Sequence, residues 1–572
     1  RRDSMEYVVF FAIVIAFLVI VSILGMLNEK RSLQNFRDKL HRTYGGLPEG
    51  MDNDSKFLYV SKYFEKHRAE TAIDDITWND LSMDQVFRRM NYCYSGAGEE
   101  YLYYMLRTPQ QSDDFELQEQ HVRYFMEHEA LRNDCQVIFA GMANRNRYSI
   151  YDYLDYLDHL GKRSNLMNLT ADFLLVVSII GCFFSFSTFF IMLIVVLIFN
   201  IVTYFRDKAE IDPYLSSFSY VMRLLKGVER FRKIKDHELG QELAELGDDE
   251  QKMAAFKAGS GILMSPTRMN ASGNPLDILA DYLRIVTHID LIKFNHMLSE
   301  IRKHTDTVDH MITVLGKIDA EIAIGCFRAS LADSYCIPQF QTSSDELVIR
   351  GLYHPGMEHP VPNSISCHRG VLITGSNASG KSTFLKTVAI SAILAQSVHT
   401  VMAEQYTAPL YRIYTSMALR DDLVGGDSYY IVEIKSLKRI LDAAEKSGCR
   451  ILCMIDEVLR GTNTIERIAA SSRILTGFTH RNIQCFAATH DIELTELLKE
   501  QYDNYHFEGI VTDNDVHFNY QIQEGPAKNR NAIKLLGILG YDPRLVESAQ
   551  QMADEFTKSG IWTMPSGVSE TE

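Results

Sequence analysis

The chain's clearest chemical motif is a turn of small residues between a strand pattern and a helix pattern. Residues Val371 to Thr383 read V-L-I-T-G-S-N-A-S-G-K-S-T. An apolar run with a β-branched end precedes the glycines, and the helix-favouring stretch Phe384 to Gln396 follows them. This order predicts a phosphate-binding loop of the Walker A kind, at a strand-to-helix turn.

The residue types of this loop suit a nucleoside triphosphate with Mg²⁺. Small residues at Gly375 and Gly380 leave the backbone N–H groups accessible to phosphate oxygens. Lys381 supplies a positive charge for the β and γ phosphates, and the Ser382 hydroxyl supplies a ligand for Mg²⁺. A glycine turn that holds no ligand is the alternative interpretation.

Two carboxylates follow a second buried-strand pattern. The strand is predicted at Ile451 to Ile455, and Asp456 and Glu457 come directly after it. At the carboxyl edge of a parallel sheet, Asp456 is a candidate Mg²⁺ ligand. Glu457 is the candidate catalytic base that orients or deprotonates the attacking water.

A third apolar strand pattern, Gln484 to Ala488, brings Thr489, His490 and Asp491 to the same predicted edge. His490 is a candidate catalytic residue that senses the γ phosphate. A purely structural histidine after a strand is the alternative.

These segments together resemble the ATPase domain of the MutS family. The resemblance rests on D-E-V-L-R-G-T at 456–462, the helix pattern at 464–479 and A-T-H-D at 488–491. Asp421 to Glu433, reading D-D-L-V-G-G-D-S-Y-Y-I-V-E, is similar to the family's signature segment. In the family, the serine that matches Ser428 reaches the nucleotide of the other subunit. The resemblance implies a homodimer with composite sites that use ATP and Mg²⁺.

The resemblance also assigns the nucleotide contacts. The family's mismatch-repair members read G-P-N-M-G-G-K-S-T at the loop, so three residues differ here while both outer glycines and the Lys-Ser pair remain. This puts the hydrolysis rate in doubt and not the binding. Tyr520 aligns with an adenine-stacking residue, although an ordinary strand tyrosine is the alternative. The predicted loop contacts are Gly375, Ser376, Asn377, Ala378, Ser379, Gly380, Lys381, Ser382 and Thr383.

An ABC transporter ATPase is the nearest rival, because it shares this layout of loop and carboxylates. The chain has no L-S-G-G-Q segment, and R-G-T follows its acidic pair. Both features favour the MutS resemblance.

Composition and net charge limit the classes of protein to which the chain can belong. The 572 residues are 46% hydrophobic and 23% charged, which is typical of folded protein with several domains. A formal net charge of −16 at pH 7 argues against a wholly basic nucleic-acid binder. The nine cysteines show no C-x-x-C spacing, so we expect a reducing compartment and neither a disulfide framework nor a zinc site.

Two charge-free runs predict membrane segments. Tyr7 to Leu27 has 21 residues, enough to cross a hydrocarbon core of about 30 Å, with a cleaved signal peptide as the alternative. Phe173 to Phe205 has 33 residues and fits two short helices that bend near Ser185 to Thr188. Its alternative is a buried helix pair of a soluble protein. Basic flanks, such as Lys162 with Arg163, favour cytoplasmic ends.

The expected fold is an α/β P-loop ATPase domain with a mostly parallel sheet, joined to an all-α lever with transmembrane helices. Longer patterns predict helices at Gln118 to Phe139 and over Leu279 to Leu331. The expected domains are an anchor at 1–42, helical lever parts at 43–165 and 208–340, a transmembrane hairpin at 166–207, the ATPase domain with a C-terminal helix pair at 341–556, and a disordered tail at 557–572.

Part of the lever carries a second, shorter resemblance. Ile73 to Pro109 resembles the family's helical core, with an unrelated helical bundle as the alternative. About 40 residues separate the anchor from it, so we expect no mismatch-reading domain between them. The basic cluster at 223–235 could meet anionic lipid or nucleic acid, or could be a solvated helix face.

We therefore expect a dimeric MutS-like ATPase in the cell membrane, with about three spans and a cytoplasmic ATPase domain. ATP binding and hydrolysis would move the helical lever. DNA binding, if present, would be weak and not specific for mismatches. The alternatives are a membrane-remodelling or signalling ATPase that no longer binds DNA, and a transporter-like ATPase.

Overall fold

Two units make up the chain in the computed structural model. The helical unit contains Arg1–His67, Asn91–Tyr104 and Leu117–Ser330, and the sheet unit contains Arg68–Met90, Met105–Glu116 and Leu331–Glu572. The structure describes residues 2–49, 59–142, 148–263, 282–332, 334–341, 344–376, 379–417, 429–446, 448–511, 516–527, 532–538 and 540–563.

The helical unit packs around one long helix, Thr305–Ser330, which is buried almost throughout from Val314 to Arg328. Its other described helices are Arg2–Thr43, Ser61–Lys66, Gly96–Arg107 (which runs on into the sheet unit), Glu116–Glu127, Glu129–Met142, Ile150–Asp158, Leu166–Gly181, Phe186–Ile211, Leu215–Phe231, Gly240–Lys252, Ala254–Leu263 and Ile289–Lys303, with a 3₁₀ turn at Asp212–Tyr214. Apart from Arg2–Thr43 and Leu166–Gly181, these helices contribute side chains to the same apolar core.

Two glycines let the central helix cross its neighbour closely. A Cβ on Gly316 would come within 2.6 Å of the Ala97 carbonyl oxygen, and a Cβ on Gly98 would overlap the Asp319 carboxylate. Asp319 accepts hydrogen bonds from the Ser95 backbone N–H at 2.8 Å and the Ser95 hydroxyl at 2.6 Å. Complete burial nevertheless raises the Asp319 pKa to about 7.

Two long helix predictions differ from the structure. The expected helix over Gln118 to Phe139 is two helices that meet at His128. The pattern over Leu279 to Leu331 is interrupted at His304 and at His288, whose φ is +48°. His288 is fully buried and bonded to Thr203 on another helix, so tertiary contacts hold it in a conformation that local pattern does not reveal.

The second charge-free run forms a helical hairpin. Its helices are Leu166–Gly181 and Phe186–Ile211, so the bend lies at residues 182–185, slightly before the predicted position. A Cβ on Gly181 would overlap the Phe189 ring, which shows how closely the two helices approach at the tip.

The outer surface of this hairpin is apolar and exposed. At the tip, Phe183 and Phe184 are 88% and 85% exposed. Many other large apolar side chains along the two helices are also exposed, among them Leu169, Phe173, Val176, Ile180, Ile191, Val195, Ile198, Val202 and Phe205. A soluble monomer rarely exposes so large a continuous apolar surface.

A third segment packs between the two helices at the base of the hairpin. His288 Nε2 lies 3.0 Å from the Thr203 hydroxyl, and His288 Nδ1 lies 3.4 Å from Asp172. Asn200 Nδ2 donates to the Val286 carbonyl oxygen at 2.8 Å. Among the residues that the structure describes, the base is therefore three segments wide and the tip two.

The predicted count of three membrane spans is not supported. Among the described residues, one helical stretch, Phe186–Tyr214, is long and apolar enough to cross a bilayer. Leu166–Gly181 is apolar but shorter. The segment Tyr7 to Leu27 lies within helix Arg2–Thr43, but most of its side chains fall outside the described part of the chain. The N-terminal anchor stays a prediction.

The sheet unit contains two sheets. Their strands are β1 Gln339–Phe340, β2 Leu347–Leu352, β3 Asn363–Cys367, β4 Gly370–Gly375, β5 Gln405–Ala408, β6 Tyr411–Ser416, β7 Arg450–Asp456, β8 Ile483–Ala488, β9 Tyr502–Val511 and β10 Val516–Glu524. The smaller sheet has the order β1-β5-β2-β3 and the larger has the order β10-β9-β4-β8-β7-β6. In the larger sheet β4, β6, β7, β8 and β9 are parallel, and β10 is antiparallel to β9.

The parallel strands end in one row. Ile373 of β4 pairs with Ala488 of β8, which in turn pairs with Asp456 of β7. The strand interiors are buried because helices cover the sheet, and their near-continuous apolar runs fit this burial. The helices that follow the strand ends are Lys381–Val398, Tyr429–Lys446, Thr464–Thr479 and Ile492–Leu497.

Two short helices that were expected in the lever belong to the sheet unit. They are Asp75–Asp80 and Met83–Met90, within the predicted lever part 43–165. Asp80 Oδ2 accepts hydrogen bonds from the Thr415 hydroxyl at 2.7 Å and the Met417 N–H at 2.9 Å. The buried Asp80 carboxylate therefore joins the helix Asp75–Asp80 to the end of β6. A domain boundary predicted from position in the sequence cannot take such a contact into account.

The C-terminal helix pair consists of Ala532–Ile538 and Pro543–Ser559. The second helix therefore extends past the predicted start of the tail at residue 557. Gly560 ends it with a φ of +71°, and Trp562 stacks on Phe556 with ring centroids 4.2 Å apart. This aromatic contact orders residues that composition alone assigned to the tail.

Candidate functional site

Two glycines shape the phosphate-binding loop after β4. Gly375 has a φ of +146°, and a Cβ there would lie 2.6 Å from the Phe507 carbonyl oxygen. Gly380 has a φ of +108° and immediately precedes helix Lys381–Val398. Both positions require glycine, because a side chain would strain the backbone and crowd the loop.

Lys381 lies inside the loop. Its Nζ donates to the carbonyl oxygens of Gly375 at 2.8 Å and Ser376 at 2.7 Å. Burial lowers the pKa of the Lys381 ammonium, and the nearby Asp456 carboxylate opposes that shift. The Ser379 hydroxyl is buried and, within the described residues, has no hydrogen-bond partner. Asn377 and Ala378, both predicted nucleotide contacts, lie outside the described residues.

The structure brings together Ser382 and Asp456, the two candidate metal ligands. The Ser382 hydroxyl donates to Asp456 Oδ2 at 2.6 Å, across the gap between the loop helix and the end of β7. The neighbouring Thr383 lines the cavity into which the loop opens. A hydroxyl and a carboxylate at this distance are an oxygen ligand pair of the kind that Mg²⁺ takes together with phosphate oxygens.

Glu457 lies in a strained backbone position with two basic partners. Its φ is +64°, which is rare for a residue with a side chain. Glu457 Oε1 lies 3.1 Å from His490 Nε2, and Arg460 Nε donates to Oε2 at 2.8 Å. The hydrogen bond with His490, followed by the charge of Arg460, lowers the pKa of the Glu457 carboxyl. Glu457 is therefore ionised at neutral pH, as a base must be.

The segment after β8 is held rigidly beside Glu457. The Thr489 N–H donates to the Ile373 carbonyl oxygen at 3.0 Å, and the Asp491 N–H donates to the Thr489 hydroxyl at 3.0 Å. Arg467 binds both oxygens of Asp491, at 2.8 and 2.5 Å. These contacts fix the orientation of His490 between Thr489 and Asp491.

Sequence reasoning missed two residues of this edge. Arg460 contacts Glu457 but was quoted only as part of the motif D-E-V-L-R-G-T. Glu433 is 2% exposed and accepts the backbone N–H of Leu459, two residues after Glu457. Glu433 lies on helix Tyr429–Lys446, so no local spacing could have connected it with this turn.

The loop opens into a cavity of about 640 Å³. Tyr520 lines it at a bulge of β10, with a φ of +54° and 46% of its surface exposed. Asn363 holds this bulge, since its Nδ2 donates to the Tyr520 carbonyl oxygen at 3.0 Å. The opposite wall, which was not predicted, comes from the connection between β2 and β3 and includes His354, Met357, His359 and Pro360.

The cavity and loop fit a nucleoside triphosphate with Mg²⁺. The volume lies within the usual range of about 300–1,000 Å³ for small-molecule sites. Three groups suit phosphate and metal: the buried Ser379 hydroxyl without a partner, the Lys381 ammonium, and the Ser382–Asp456 pair. An exposed aromatic ring, Tyr520, stands at the cavity wall where a base could stack.

The remaining predicted contact, Ser428, lies outside the described residues, as does most of the signature segment Asp421 to Glu433. Its role at a partner's nucleotide stays a prediction.

Part of the sheet unit is similar to known proteins. Residues 371–557 match the family model of MutS domain V. The DNA mismatch repair protein MutS of Thermus thermophilus is 31% identical over 256 residues, which is 44% of this chain and 31% of that protein. The MutS proteins of Natronomonas pharaonis, 30% identical over 284 residues, and Thermotoga maritima, 32% identical over 276 residues, cover 48% and 46% of this chain.

The chain spans about a third of the length of these relatives, from 31% to 34%. The matched residues contain the loop, both carboxylates and His490. The mixed α/β fold agrees with a P-loop ATPase domain of this kind. The matches therefore support the MutS family for this chain, through a MutS domain V at residues 371–557.

Proposed function

We propose that the protein is a Mg²⁺-dependent ATPase that works as a homodimer. The observation that carries the proposal is the contact between Ser382 and Asp456 at 2.6 Å, beside the Glu457–His490 pair. A metal-binding pair, a base and a phosphate-binding lysine converge on one edge of the sheet, which is the set of groups that phosphoryl transfer to water needs.

The residues have separable tasks. Bound Mg²⁺ would polarise the terminal phosphate and neutralise its developing charge. Ser382 and Asp456 hold the metal, while Lys381 exchanges its two loop carbonyls for phosphate oxygens. Glu457 is ionised and accepts a proton from water, and His490 orients the Glu457 carboxylate through their hydrogen bond.

The homodimer is proposed on the basis of the family resemblance. In the MutS family, the serine that matches Ser428 completes the site of the other subunit, and the relatives that match this chain are MutS proteins. Nucleotide binding would then draw two chains together and move the helices attached to them.

Membrane attachment is the second part of the proposal. The hairpin Leu166–Gly181 and Phe186–Ile211 exposes an apolar surface on both helices and at its tip. Over the most apolar stretch of the second helix only 17% is buried. A core helix of a soluble protein would be mostly covered, so this exposure favours insertion into a bilayer, with the sheet unit in the cytoplasm.

DNA is the less favoured ligand. The relatives are named for DNA mismatch repair, which makes non-specific DNA binding a candidate activity. The net charge of −16 opposes it, and two members of the basic cluster have acidic neighbours, since Arg232 pairs with Glu250 and Lys235 is next to Asp236. We therefore favour a membrane-remodelling or signalling ATPase over a DNA-repair enzyme.

Substitutions at three positions test the ATPase. Glu457→Gln should bind ATP normally and slow hydrolysis at least about 100-fold, because it removes the base. Lys381→Ala should instead lose nucleotide affinity. Glu493→Gln, on the adjacent short helix, is the matched control and should behave as the wild type.

Mixing tests the shared site. Ser428→Ala chains mixed with Glu457→Gln chains should form dimers in which one composite site loses both residues and the other keeps both, so the mixture should recover part of the activity. A mixture with the full wild-type rate, or wild-type hydrolysis by Glu457→Gln alone, would refute the proposed mechanism.

A further inference from the structure

A second cavity, of about 330 Å³, lies at the base of the apolar hairpin. Both hairpin helices line it, the first near its beginning at Asn168 and the second near its end at Arg206. The segment before the hairpin contributes Lys162, Arg163 and Ser164. The cavity thus lies where the apolar surface of the hairpin gives way to polar protein.

Three cations surround the cavity. Arg163 pairs with Glu210, and its side chain is only 16% exposed. Arg206 Nε donates to Asp207 at 2.8 Å. Lys162 is exposed and forms no ion pair with any residue that the structure describes. Because these two carboxylates face three cations, the cavity lining has a surplus of one positive charge.

Further donors are available to an anion. The Arg163 Nε is buried and, within the described part of the chain, has no acceptor. Helix Leu166–Gly181 begins at the cavity, and the Leu166 N–H donates to the Ser164 hydroxyl at 3.2 Å. The following N–H groups of this first turn have no acceptor within the helix, and the helix dipole places partial positive charge there.

The apolar surface of the hairpin begins next to the cavity lining. Exposed Leu169 directly follows Asn168 of the lining, and exposed Phe205 directly precedes Arg206. An occupant that uses both the cations and this surface has an anionic group joined to long apolar chains. The volume, near the lower limit of about 300 Å³ for small-molecule sites, suits a head group better than a whole amphiphile.

We propose that this cavity binds the head group of an anionic phospholipid whose acyl chains lie along the exposed hairpin. This inference rests on the membrane attachment proposed above. A basic pocket between apolar helices on the cytoplasmic side is a recognised form of head-group site. A free phosphate ion would leave the apolar surface next to the cavity unused, whereas a lipid would occupy it.

The test compares two kinds of vesicle. The full chain is floated with vesicles of phosphatidylcholine alone and of phosphatidylcholine with phosphatidylglycerol. The wild type should partition at least about 25-fold more strongly into the anionic vesicles, at about fivefold for each of two cations. Lys162→Gln combined with Arg206→Gln should weaken binding to the anionic vesicles about 25-fold, at about fivefold per cation near a membrane surface, and should leave binding to the neutral vesicles unchanged.

The matched control carries the same charge change elsewhere. Lys233→Gln combined with Lys235→Gln removes two exposed cations of the basic cluster, beyond helix Leu215–Phe231. Its binding to anionic vesicles should fall less than threefold. An equal loss in both double variants would mean diffuse attraction to the surface and would overturn the lipid site.

The remaining outcomes separate the two proposals. Equal binding of the wild type to both vesicles would leave the attachment standing and overturn only the lipid site. Failure to float with either vesicle would overturn the attachment and this inference together. Binding of glycerol phosphate to the chain in neutral detergent as tightly as binding of a short-chain phosphatidylglycerol would assign the cavity to a soluble phosphate and overturn the lipid.

Discussion

Removal of the Glu433 carboxylate should slow ATP hydrolysis without weakening nucleotide binding. Glu433 accepts the Leu459 N–H, and burial raises the pKa of its carboxyl. Leu459 and Glu457 both have positive φ, at +57° and +64°. Two strained residues persist only where their surroundings hold them, and Glu433 holds this turn together with Ser471, whose hydroxyl donates to the Val458 carbonyl oxygen.

The size of the effect follows from one hydrogen bond. Loss of a hydrogen bond to a charged group costs about 1.5–3 kcal/mol. We assume that Glu433→Ala lowers the free energy of a relaxed turn, relative to the turn that positions Glu457, by that amount. Since about 1.4 kcal/mol corresponds to a factor of ten in rate, kcat should then fall about 10- to 100-fold. The loop residues Lys381 and Ser382 are untouched, so the Kd for ATP should change less than threefold.

Steady-state ATPase rates and ATP titrations measure the two quantities. Glu433→Gln keeps a carbonyl oxygen for the Leu459 N–H and should recover most of the rate. Glu445→Ala, an exposed position on the same helix, is the control for a general effect on the helix. A Glu433→Ala protein with unchanged kcat and an unchanged melting temperature would refute the positioning role.

Three further predictions concern pH and salt. In His490→Ala the Glu457 pKa should rise towards its ordinary value, so the acid limb of kcat against pH should move upwards; an unmoved limb contradicts the contact. The Asp319 pKa is raised to about 7, so its contribution to stability is complete below about pH 4 and is lost as pH rises to about 7. Asp319→Asn should therefore show a smaller difference in urea stability between pH 5 and pH 8, and an unchanged difference would refute the burial effect. Binding to duplex DNA, through side chains such as Arg230 and Lys233, should be weak, with a Kd of about 10⁻⁴ to 10⁻⁶ M, and should decrease with salt. A preference above about tenfold for mismatched over matched duplexes in the same titration would contradict it.

The candidate site at the sheet edge was predictable because the residues of each motif are neighbours in the sequence. Glycines, lysine and serine follow one another in the loop, and each candidate at the sheet edge directly follows an apolar strand run. Parallel strands end at the same edge of a sheet. A parallel sheet that places β4 near β7 would therefore bring Ser382, Asp456 and Glu457 close together, whatever the rest of its strand order.

The unpredicted parts depend on contacts between distant positions. Asn363 supports Tyr520 across 157 residues, and Asp80 bonds Thr415 across 335. The break at His288 has the same origin, because its partners Asp172 and Thr203 lie on two other helices. Hydrophobic pattern and secondary-structure propensity depend on residues that are close in the sequence. The hydrogen-bond partners of these side chains are far away in the sequence, so neither signal could predict the contacts.

The unequal width of the hairpin has a mechanical consequence. If it lies in a bilayer, three of the described segments displace lipid near the head groups, around His288, while two closely packed described helices displace it at the tip, where Gly181 meets Phe189. Such an insertion is a wedge, and it expands the head-group region of the cytoplasmic leaflet more than its tail region. Many copies side by side would therefore make the cytoplasmic face of the membrane convex, and any nucleotide-driven pairing of chains would concentrate that bending in one place.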